Sequence, residues 1–357
     1  MYNASCFSIP SVILMVMELD HVQAFLAIVR CGGFTRASSS LHLSQPAISR
    51  RIDLLERELG APVFERMRGG VVLSDAGRAF LPHAEALQAQ LQDGIAAVQA
   101  VRGASHGTVT LAIVGTLAST SLTDCLRRFR GSYPAVELRV RTALSAEVSA
   151  LVRRGDATLG LRYESDPDPA LVSSTIHDEP MVPVCAPDHH LARKRSVNPA
   201  ALASERWIAF PPRPGAAREP YASAFEQRLA ICGLHASEII PIDSLTAQKR
   251  MVSAGFGLAL LPASSIDEEL RAGTLHALRI PALHATIPVA LVQRRRAFHS
   301  GATKALLAIL TAWPALPSPK LPAARSTVRE AMTRRGAKQA AARARGDRSN
   351  ATPPRRG

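Results

Sequence analysis

The chain has 357 residues, of which 47% are hydrophobic, and its formal net charge is +14 at pH 7. This length and apolar content are sufficient for two or three domains with hydrophobic cores, which excludes a wholly disordered chain. Much of the positive charge lies near the carboxyl terminus. Residues 314–357 contain eleven Lys or Arg and only two acidic residues, so they contribute +9 and the rest of the chain +5.

The two ends of the chain lack the patterns of folded domains. Residues 315–357 are rich in Pro, Ala and Arg and poor in apolar anchors, so we expect a disordered basic tail with at most a short helix at 327–345. Such a tail either adds nonspecific affinity for phosphate or only increases solubility. Residues 1–17 contain an apolar run that is too short to cross a bilayer and has no basic leader. We expect no signal peptide and no membrane anchor, and interpret this extension as a disordered arm or a misassigned translation start.

Five cysteines are spread along the chain without a Cys-x-x-Cys pair. They are Cys6, Cys31, Cys125, Cys185 and Cys232. This spacing predicts a reducing compartment and no structural zinc. The loop Pro-Asp-His189-His190 has no carboxylate or cysteine at metal-ligand spacing, so we interpret both histidines as solvated and predict no metal site.

The patterned part of the chain begins with two short helices. Apolar residues recur at helical spacing in 19–29, and Gly32 and Gly33 end this first helix. A second helix is predicted at 34–41.

A third helix is predicted to begin after Ser44, whose side chain can cap it, and to end at Gly60. Pro46 lies in its first turn, where the backbone N–H groups have no partner within the helix. Its apolar residues recur at spacings of four, three and four, at Ile48, Ile52, Leu55 and Leu59. The opposite, polar face consists of Gln45, Ser49, Arg50 and Asp53. Gln matches the edge of adenine and Arg can bind guanine or phosphate through two hydrogen bonds, so we interpret this face as a DNA-reading surface; the alternative is an ordinary solvated face.

Two short strands follow, predicted at 63–66 and 71–73 around a Gly-Gly turn. Together with the three helices they predict a winged helix-turn-helix domain at 18–73. Arg66 and Arg68 lie on the wing, where arginines can contact the sugar-phosphate backbone, although either can also be a solvated side chain.

A long helix is predicted at 74–102, with Ser74 as its candidate N-cap. Its apolar residues recur at spacings of four, three, four, four and three, close to a heptad seam, at Phe80, Ala84, Leu87, Leu91, Ile95 and Val98. Because the DNA-binding unit is too small to cover a helix of this length, we favour a dimerisation helix over one packed on its own domain. Pro82 removes a backbone hydrogen bond and should bend the helix, which would set the angle between two DNA-binding heads.

Beyond a predicted hinge at 103–107, strands and helices alternate, which indicates an α/β domain with a parallel sheet. Strands are predicted at 108–114, 136–141, 157–163, 182–186, 207–209, 255–262 and 289–294, and helices at 122–133, 146–154, 220–232, 245–253 and 303–313. Two lobes fit this pattern best, one formed by 108–178 with 283–314 and the other by 179–282. Two such lobes place a small-molecule cleft between them.

Candidate effector contacts lie at the carboxyl ends of strands and at helix amino termini, where hydroxyl groups and free N–H groups can bind an anion. They are Thr116, Ser119 and Thr120 after the first strand of this domain, Ser244, Thr246 and Gln248 around a later helix, and Arg162 at the end of the third strand. Hydroxyls at helix starts are often only caps, and Arg162 can pair with Glu164 or Asp178 instead. The favoured effector is a small carboxylate.

A resemblance to a known family rests on the segment FLAIVRCGGFTRASSSLHLSQPAISRRIDLLERELGAPVFERMRGGVVLSDAGRAFLPHA. It is similar to the DNA-binding end of the LysR-type transcriptional regulators, and the resemblance extends from Glu18 to about Pro314. It implies that Gln45, Pro46, Ser49 and Arg50 form the base-reading face and that Arg66 is the wing contact. Further candidate DNA contacts are Thr35, Arg36, Ser44 and Arg68. Gly33 departs from the family, which usually has a capping Ser there, but a Gly cap costs only about a few tenths of a kcal/mol.

The resemblance also implies an architecture. The linker helix would pair two chains, and tetramers would be built as pairs of dimers. The α/β domain would be an effector-binding domain that resembles the type 2 periplasmic binding proteins. The predicted fold class is therefore α/β overall, with an N-terminal winged helix-turn-helix, a long linker helix and a two-lobed effector domain.

Motifs for catalysis are missing from the sequence, which has no Gly-x-Ser-x-Gly elbow, phosphate loop, dinucleotide fingerprint or His-Glu-x-x-His. We therefore predict no enzymatic activity and no cofactor. A two-lobed solute-binding protein is the alternative function, but it would need export and would not use a helix-turn-helix.

The predicted function is a cytoplasmic, nucleoid-associated regulator, a homodimer or homotetramer that binds double-stranded promoter DNA and a small-molecule effector. We expect no membrane association, and RNA polymerase is a further candidate partner. In residues 18–102, nine basic and nine acidic side chains cancel, so bulk electrostatic attraction cannot be the source of recognition there. Specificity must come from the few groups on the polar face of the third helix.

Overall fold

The computed structural model describes residues 17–67, 70–101, 107–211, 219–234 and 238–313. These residues form two compact units. Unit 1 contains the described residues up to Glu179, those from Glu219 to Phe225 and those from Thr286 onward, and unit 2 contains those from Pro180 to Pro211 and from Glu226 to Ala285. No helix in the described ranges combines the length and apolarity that a bilayer span requires.

The helices and strands follow one another along the chain in the order that the sequence predicts, with some additions. The helices of the described residues are α1 (Leu19–Cys31), α2 (Phe34–Leu41), α3 (Gln45–Leu59), α4 (Asp75–Val101), α5 (Thr120–Ser132), α6 (Ser145–Arg153), α7 (Pro220–Ile231), α8 (Leu245–Ser253), α9 (Ala263–Ala272) and α10 (Gly301–Thr311). The strands are β1 (Phe64–Met67), β2 (Gly70–Leu73), β3 (Gly107–Val114), β4 (Val136–Ala143), β5 (Leu159–Tyr163), β6 (Leu171–Cys185), β7 (Trp207–Ala209), β8 (Ile239–Pro241), β9 (Ala259–Pro262), β10 (His276–Ala277) and β11 (Ala285–Arg294).

The amino-terminal part of unit 1 is the predicted winged helix-turn-helix. Three residues of the predicted apolar stripe of α3, Ile48, Ile52 and Leu55, are buried against α1 and α2, and Leu59 is half-buried. Ser44 caps α3 by accepting a hydrogen bond from the backbone N–H of Ala47, at 3.3 Å. The wing strands β1 and β2 pair antiparallel. The predicted helices, their caps and the wing are therefore confirmed, while Arg68 and Gly69 lie outside the described residues.

The wing and the start of α4 approach each other very closely. The Ser74 backbone N–H donates to the Val63 carbonyl at 3.1 Å, and the Ser74 hydroxyl accepts the Gly77 N–H at 3.0 Å, which confirms the predicted cap. A Cβ atom at Gly77 would lie only 2.0 Å from the Val63 carbonyl oxygen. Only glycine fits at this position without moving the wing away from α4.

The α/β part of unit 1 contains the predicted parallel sheet. Strand β3 lies between β4 and β5 and pairs with both in parallel. Strand β11 pairs with β5 antiparallel, and the strand order is β4-β3-β5-β11-β6. The hinge prediction needs a correction at Gly107, which is the first residue of β3; residues 103–106 lie outside the described ranges. The carboxyl ends of β3, β4 and β5 consequently meet at one edge of the sheet.

Unit 2 is built on the second half of β6, which pairs antiparallel with β9 and β10. Strands β7 and β8 form a separate parallel pair, with Trp207 fully buried. The sequence prediction missed the short strands β8 and β10, and it was wrong on two further elements here. It began the strand at Val182, whereas β6 begins at Leu171, and it missed α9. The early part of β6 and all of α9 carry few buried apolar residues, so neither shows a strong periodic pattern. The boundaries of the two lobes stay a prediction.

Replacing Gly77 by alanine should lower the free energy of unfolding by about 1–3 kcal/mol, because the added methyl group collides with a backbone carbonyl. Gly94→Ala is the matched control, since a Cβ there meets no atom within 4 Å and the position is exposed in the same helix. That change should stabilise the chain by about 0.5–1 kcal/mol through helix propensity. Denaturant unfolding of both variants measures the two effects, and equal shifts would contradict the close contact at Gly77.

Candidate DNA-binding face and ligand site

The exposed side of α3 brings together the residues predicted to read DNA. Gln45, Pro46 and Arg50 are exposed and Ser49 is half-buried, at spacings that place them on one face of the helix. We call these four residues the recognition face. The neighbouring Arg51 is held by Asp20, with Nη2 2.6 Å from Oδ2, so it fastens α3 to α1 instead.

The remaining predicted DNA contacts differ in the hydrogen bonds that they make within the chain. Thr35 is exposed at the start of α2, and Ser44 is exposed but caps α3. The Arg36 guanidinium donates to the Gly32 carbonyl at 2.8 Å, so this side chain also closes the end of α1. The Arg66 side chain and Arg68 lie outside the described residues. All of these positions stay predictions as DNA contacts.

The long helix α4 has two different faces. Ala84, Glu85, Ala89 and Asp93 are buried within unit 1, so the alternative of packing on the chain's own domain is correct for this face. Four residues of the predicted seam are exposed instead: Leu87 at 48%, Leu91 at 42%, Ile95 at 52% and Val98 at 66%. We call these four residues the exposed stripe. It is an apolar surface on a helix that is already anchored on its other side.

Buried ion pairs fasten the inner face of α4 to the α/β part of unit 1. The Glu85 carboxylate lies 3.0 Å from Nε of Arg153, the last residue of α6, and Arg153 also contacts Asp168 at 3.1 Å. Further along α4, Asp93 lies 2.7 Å from Nη2 of Arg294, at the end of β11. Sequence reasoning missed both carboxylates, although their spacing of eight residues puts them on one helix face with Ala89.

The carboxyl edge of the parallel sheet contains a buried cluster of hydroxyl groups. Thr116 follows β3, and its Oγ1 donates to the hydroxyl of Tyr163, the last residue of β5, at 2.9 Å. Burial and the negative charge of Glu179 raise the pKa of the Tyr163 hydroxyl well above its usual value, so this group stays protonated. Thr116 and Tyr163 are therefore a neutral hydrogen-bonding pair.

Ser119 lies beside this pair and caps α5. Its Oγ accepts the Leu122 N–H at 3.4 Å and lies 3.0 Å from Oγ of Ser121, which in turn accepts a hydrogen bond from the Trp313 indole. The Thr120 side chain lies outside the described residues.

Arg162 is paired inside unit 1. Its guanidinium contacts the Asp166 carboxylate, donates to the Ser149 hydroxyl at 2.9 Å and donates to the Tyr163 carbonyl at 3.2 Å. The expected alternative partners, Glu164 and Asp178, are thereby corrected to Asp166. Burial works to raise the pKa of Asp166, but hydrogen bonds and the charge of Arg162 hold it below its ordinary value. A role for Arg162 as an effector countercharge stays a prediction.

A polar pair at this edge, the buried Ser145 and the half-buried Glu219, was missed by sequence reasoning. The Glu219 carboxylate accepts hydrogen bonds from the Ser145 backbone N–H at 2.6 Å and from the Ser145 hydroxyl at 2.8 Å. Ser145 is the first residue of α6 and follows β4, so the rule that selected Thr116 and Ser119 applied to it as well. The amino terminus of α6 thus holds a carboxylate, as helix dipoles favour.

The predicted contacts around α8 belong to unit 2. Ser244 caps α8 by accepting the Ala247 N–H at 3.4 Å, and both Ser244 and Thr246 are exposed. Gln248 is fully buried, and its Nε2 donates to the Ile242 carbonyl at 2.7 Å. Gln248 therefore fixes the loop before α8, and a ligand contact for these three residues stays a prediction.

Comparison with known families gives two matches that together span most of the chain. Residues 19–78 match the family described as bacterial regulatory helix-turn-helix protein, lysR family, and residues 102–315 match the LysR substrate binding domain. The transcriptional regulator BudR of Raoultella terrigena is 30% identical over 282 residues, which cover 77% of this chain and 94% of BudR. The regulator CfxR of Cupriavidus necator is 27% identical over 267 residues, covering 75% of this chain and 82% of CfxR.

Solved structures show the same fold. A single-residue variant of full-length OxyR from Pseudomonas aeruginosa superimposes with a TM-score of 0.61 at 19% identity, covering 82% of this chain and 93% of OxyR. ArgP from Mycobacterium tuberculosis superimposes with a TM-score of 0.60 at 19% identity, covering 82% of this chain and 97% of ArgP.

Removing either partner of the Asp93–Arg294 pair should be costly, because it leaves the other charge buried. Asp93→Leu and Arg294→Met should each lower the free energy of unfolding by about 3–5 kcal/mol, and the double variant should recover most of that loss. Denaturant unfolding of the three variants measures the coupling. Arg78→Ala, which breaks the exposed pair with Asp75, is the control and should change stability by less than about 1 kcal/mol. Additive losses in the double variant would show that the two charges are not coupled.

Proposed function

Because this chain belongs to the LysR family of transcriptional regulators, we propose that it binds a palindromic promoter site as a homodimer or homotetramer and that a small carboxylate controls this binding. The observation that carries the DNA-binding part is the recognition face of α3. Its apolar side is buried in the domain core, so the polar side is presented on a rigid helix.

The chemistry of the recognition face supports sequence-specific contacts in a major groove. The Gln45 amide offers a donor and an acceptor that match adenine, and the Arg50 guanidinium matches guanine or a phosphate. Ser49 is small enough to allow a close approach. Thr35, Arg36 and the wing residues Arg66 and Arg68 would add backbone contacts that position the domain without reading bases.

The exposed stripe supports pairing of two chains through α4. A fully buried Leu, Ile or Val side chain gains roughly 1.5–3 kcal/mol relative to an exposed one, so covering four such residues is a substantial driving force. The stripe repeats at spacings of four, four and three along the helix, which suits packing against a second α4. Tetramers would then form as pairs of dimers through other surfaces.

The carboxylate class of effector is supported by the contact between Glu219 and Ser145. The amino terminus of α6 already accepts a carboxylate from the chain itself, and the hydroxyls of Thr116 and Ser119 lie at the same edge of the sheet. An effector carboxylate would displace that of Glu219 and bind the Ser145 N–H and hydroxyl in its place. Thr120, Ser244 and Thr246 stay proposed as further contacts, while Arg162 and Gln248 would position their neighbours.

Helix α6 provides a path from this site to the DNA-binding domain. Its first residue, Ser145, holds the carboxylate, and its last residue, Arg153, is bonded to Glu85 on α4. The helix has nine residues, so these two ends are roughly 13 Å apart. A rigid shift of α6 on effector binding would therefore act directly on the linker helix and change how the paired domains engage their half-sites.

We place the protein in the cytoplasm at the nucleoid, with RNA polymerase as a further partner, no cofactor other than the effector and no catalytic role. Family membership supports this placement. The alternative of a solute-binding protein without a regulatory role has no support among the relatives.

Arg50→Ala should lower affinity for the specific duplex by about tenfold or more, since a bidentate base contact discriminates by about 1–3 kcal/mol. Affinity for a scrambled duplex should change little. Footprinting on the DNA that flanks the gene identifies the site, and mobility-shift titrations at fixed salt measure both affinities. Arg78→Ala removes the same charge from an exposed position on α4 and should leave specificity unchanged. Unchanged discrimination by Arg50→Ala would refute the proposed reading role.

Thr116→Leu and Ser119→Leu should abolish the response to a small carboxylate without reducing DNA binding, because a bulky apolar side chain removes a hydroxyl and fills the site. A panel of small carboxylates is first screened by the shift in thermal midpoint, and the best is titrated by calorimetry. Thr142→Leu, at an exposed position on β4, is the matched control. Should the Thr116 variant bind the carboxylate as tightly as the parent chain, the site lies elsewhere.

A further inference from the structure

A second polar cluster lies in unit 2, in the connection between β6 and β7. The Glu205 carboxylate contacts two histidines at once. One oxygen lies 3.3 Å from Nε2 of His189, and the other lies 3.1 Å from Nε2 of His190. The three potential ligand atoms all lie within 4.8 Å of one another. The sequence expectation of a His-His pair without a carboxylate is therefore corrected, because Glu205 supplies one from 15 residues further along the chain than His190.

Buried residues close in sequence anchor the backbone at these three side chains. His189 precedes a short 3₁₀ helix, His190–Arg193, whose Leu191 side chain is fully buried. Glu205 lies two residues before Trp207, which is also fully buried at the start of β7. Buried anchors next to each ligand reduce the entropy that a cation would otherwise have to overcome on binding.

We propose that His189, His190 and Glu205 bind one divalent transition-metal ion, with Zn²⁺ as the reference ion. Two imidazoles and a carboxylate suit Zn²⁺, Co²⁺ and Ni²⁺ better than Mg²⁺ or Ca²⁺, which prefer oxygen ligands. With metal–ligand bonds of about 2.0–2.1 Å, adjacent ligands of a tetrahedral ion lie roughly 3.3 Å apart. The two nitrogen–oxygen distances, each to a different oxygen of Glu205, match this value. Because the three ligand atoms lie within 4.8 Å of one another, side-chain rotations can bring them onto one ion.

The exposure of the cluster fits a site that leaves a coordination position open. The His190 side chain is 63% exposed, whereas those of His189 and Glu205 are mostly buried. Water or another ligand can therefore complete the coordination from the solvent side. The local potential also favours a cation. Burial together with the negative charges of Glu205 and Asp188 raises the pKa of the nearby Cys185 thiol to about 12.

A hydrogen bond within the cluster gives metal binding a distinct signature. Nδ1 of His189 accepts the Leu191 backbone N–H at 3.3 Å, so in the metal-free protein the ring proton lies on Nε2 and points to Glu205. A metal ion at Nε2 requires the proton on Nδ1, which must then turn away from the Leu191 N–H. Metal binding therefore exchanges the tautomer of His189 and breaks this long hydrogen bond.

The proposal is tested by calorimetric titration of Zn²⁺ into the full chain, in which Cys6, Cys31 and Cys232 are replaced by serine to exclude thiolate binding. The expected result is one Zn²⁺ per chain. His190→Asn should weaken binding at least about tenfold, because even the loss of a residue that only supports a ligand costs 10–100-fold. His190 is largely exposed, so the metal-free thermal midpoint of this variant should equal that of the parent. His284→Asn, an exposed histidine of unit 2 outside the cluster, should bind Zn²⁺ like the parent.

Nitrogen chemical shifts of the histidine rings test metal binding independently, because they show which ring nitrogen carries the proton. In the parent chain, Zn²⁺ should move the His189 proton from Nε2 to Nδ1 and shift the Leu191 amide signal. Parent-like Zn²⁺ affinity in His190→Asn, or a His189 ring that keeps its proton on Nε2 at saturating Zn²⁺, would overturn the proposal and leave a hydrogen-bonded cluster only.

Discussion

The two buried carboxylates of α4 are the constraint on which the arrangement of unit 1 depends. A carboxylate that is taken out of water must find a positive partner, because an unpaired buried charge is very unfavourable. Glu85 meets Arg153 from α6, and Asp93 meets Arg294 from β11. Two fixed points separated by eight residues determine both the position of the helix along its axis and its rotation about it.

That rotation determines what each side of α4 can do. Between the two carboxylates, Ala89 packs against Gly155, which follows α6. A Cβ atom added at Gly155 would lie only 3.1 Å from the Ala89 Cα atom. Such an approach requires small residues on both sides. With this face committed to the α/β part, Leu87, Leu91 and the rest of the exposed stripe must face outward. The same ion pairs that anchor the helix therefore leave the apolar surface available for a second chain.

Local patterns in the sequence were sufficient for the elements that carry strong periodicity or clear caps. We could predict the apolar stripe and cap of α3, the glycines at which helices end, and the β-α-β-α-β succession. Each of these features depends on residues that are close in sequence. The first half of β6 was missed because residues 172–178 include no buried side chain and show no alternation of buried and exposed positions. Helix α9 was missed because Ile266 is its only large buried apolar residue.

The sites were harder to predict than the elements, for a physical reason. The recognition face lies on a single helix, so its geometry follows from helical spacing alone. The pairing of Ser145 with Glu219 joins residues 74 positions apart. Glu205 meets two histidines that lie 15 and 16 residues earlier in the same connection between β6 and β7. Such contacts depend on the path of the whole chain, which single-residue patterns do not contain. Hydroxyls at helix starts could be proposed, but their partners could not.

The charge balance of the DNA-binding segment connects these observations to function. Residues 18–102 carry no net charge, so the specificity proposed for one domain rests on a few directional contacts from α3, each with about 1–3 kcal/mol of discrimination. A single copy of such a face discriminates only weakly between DNA sequences. Two copies held at a fixed separation would add their contacts, and in the proposed dimer α4 sets that separation. Under the proposed function, specific DNA recognition therefore depends on the exposed stripe as well as on the recognition face, and the buried carboxylates of α4 determine where that stripe points.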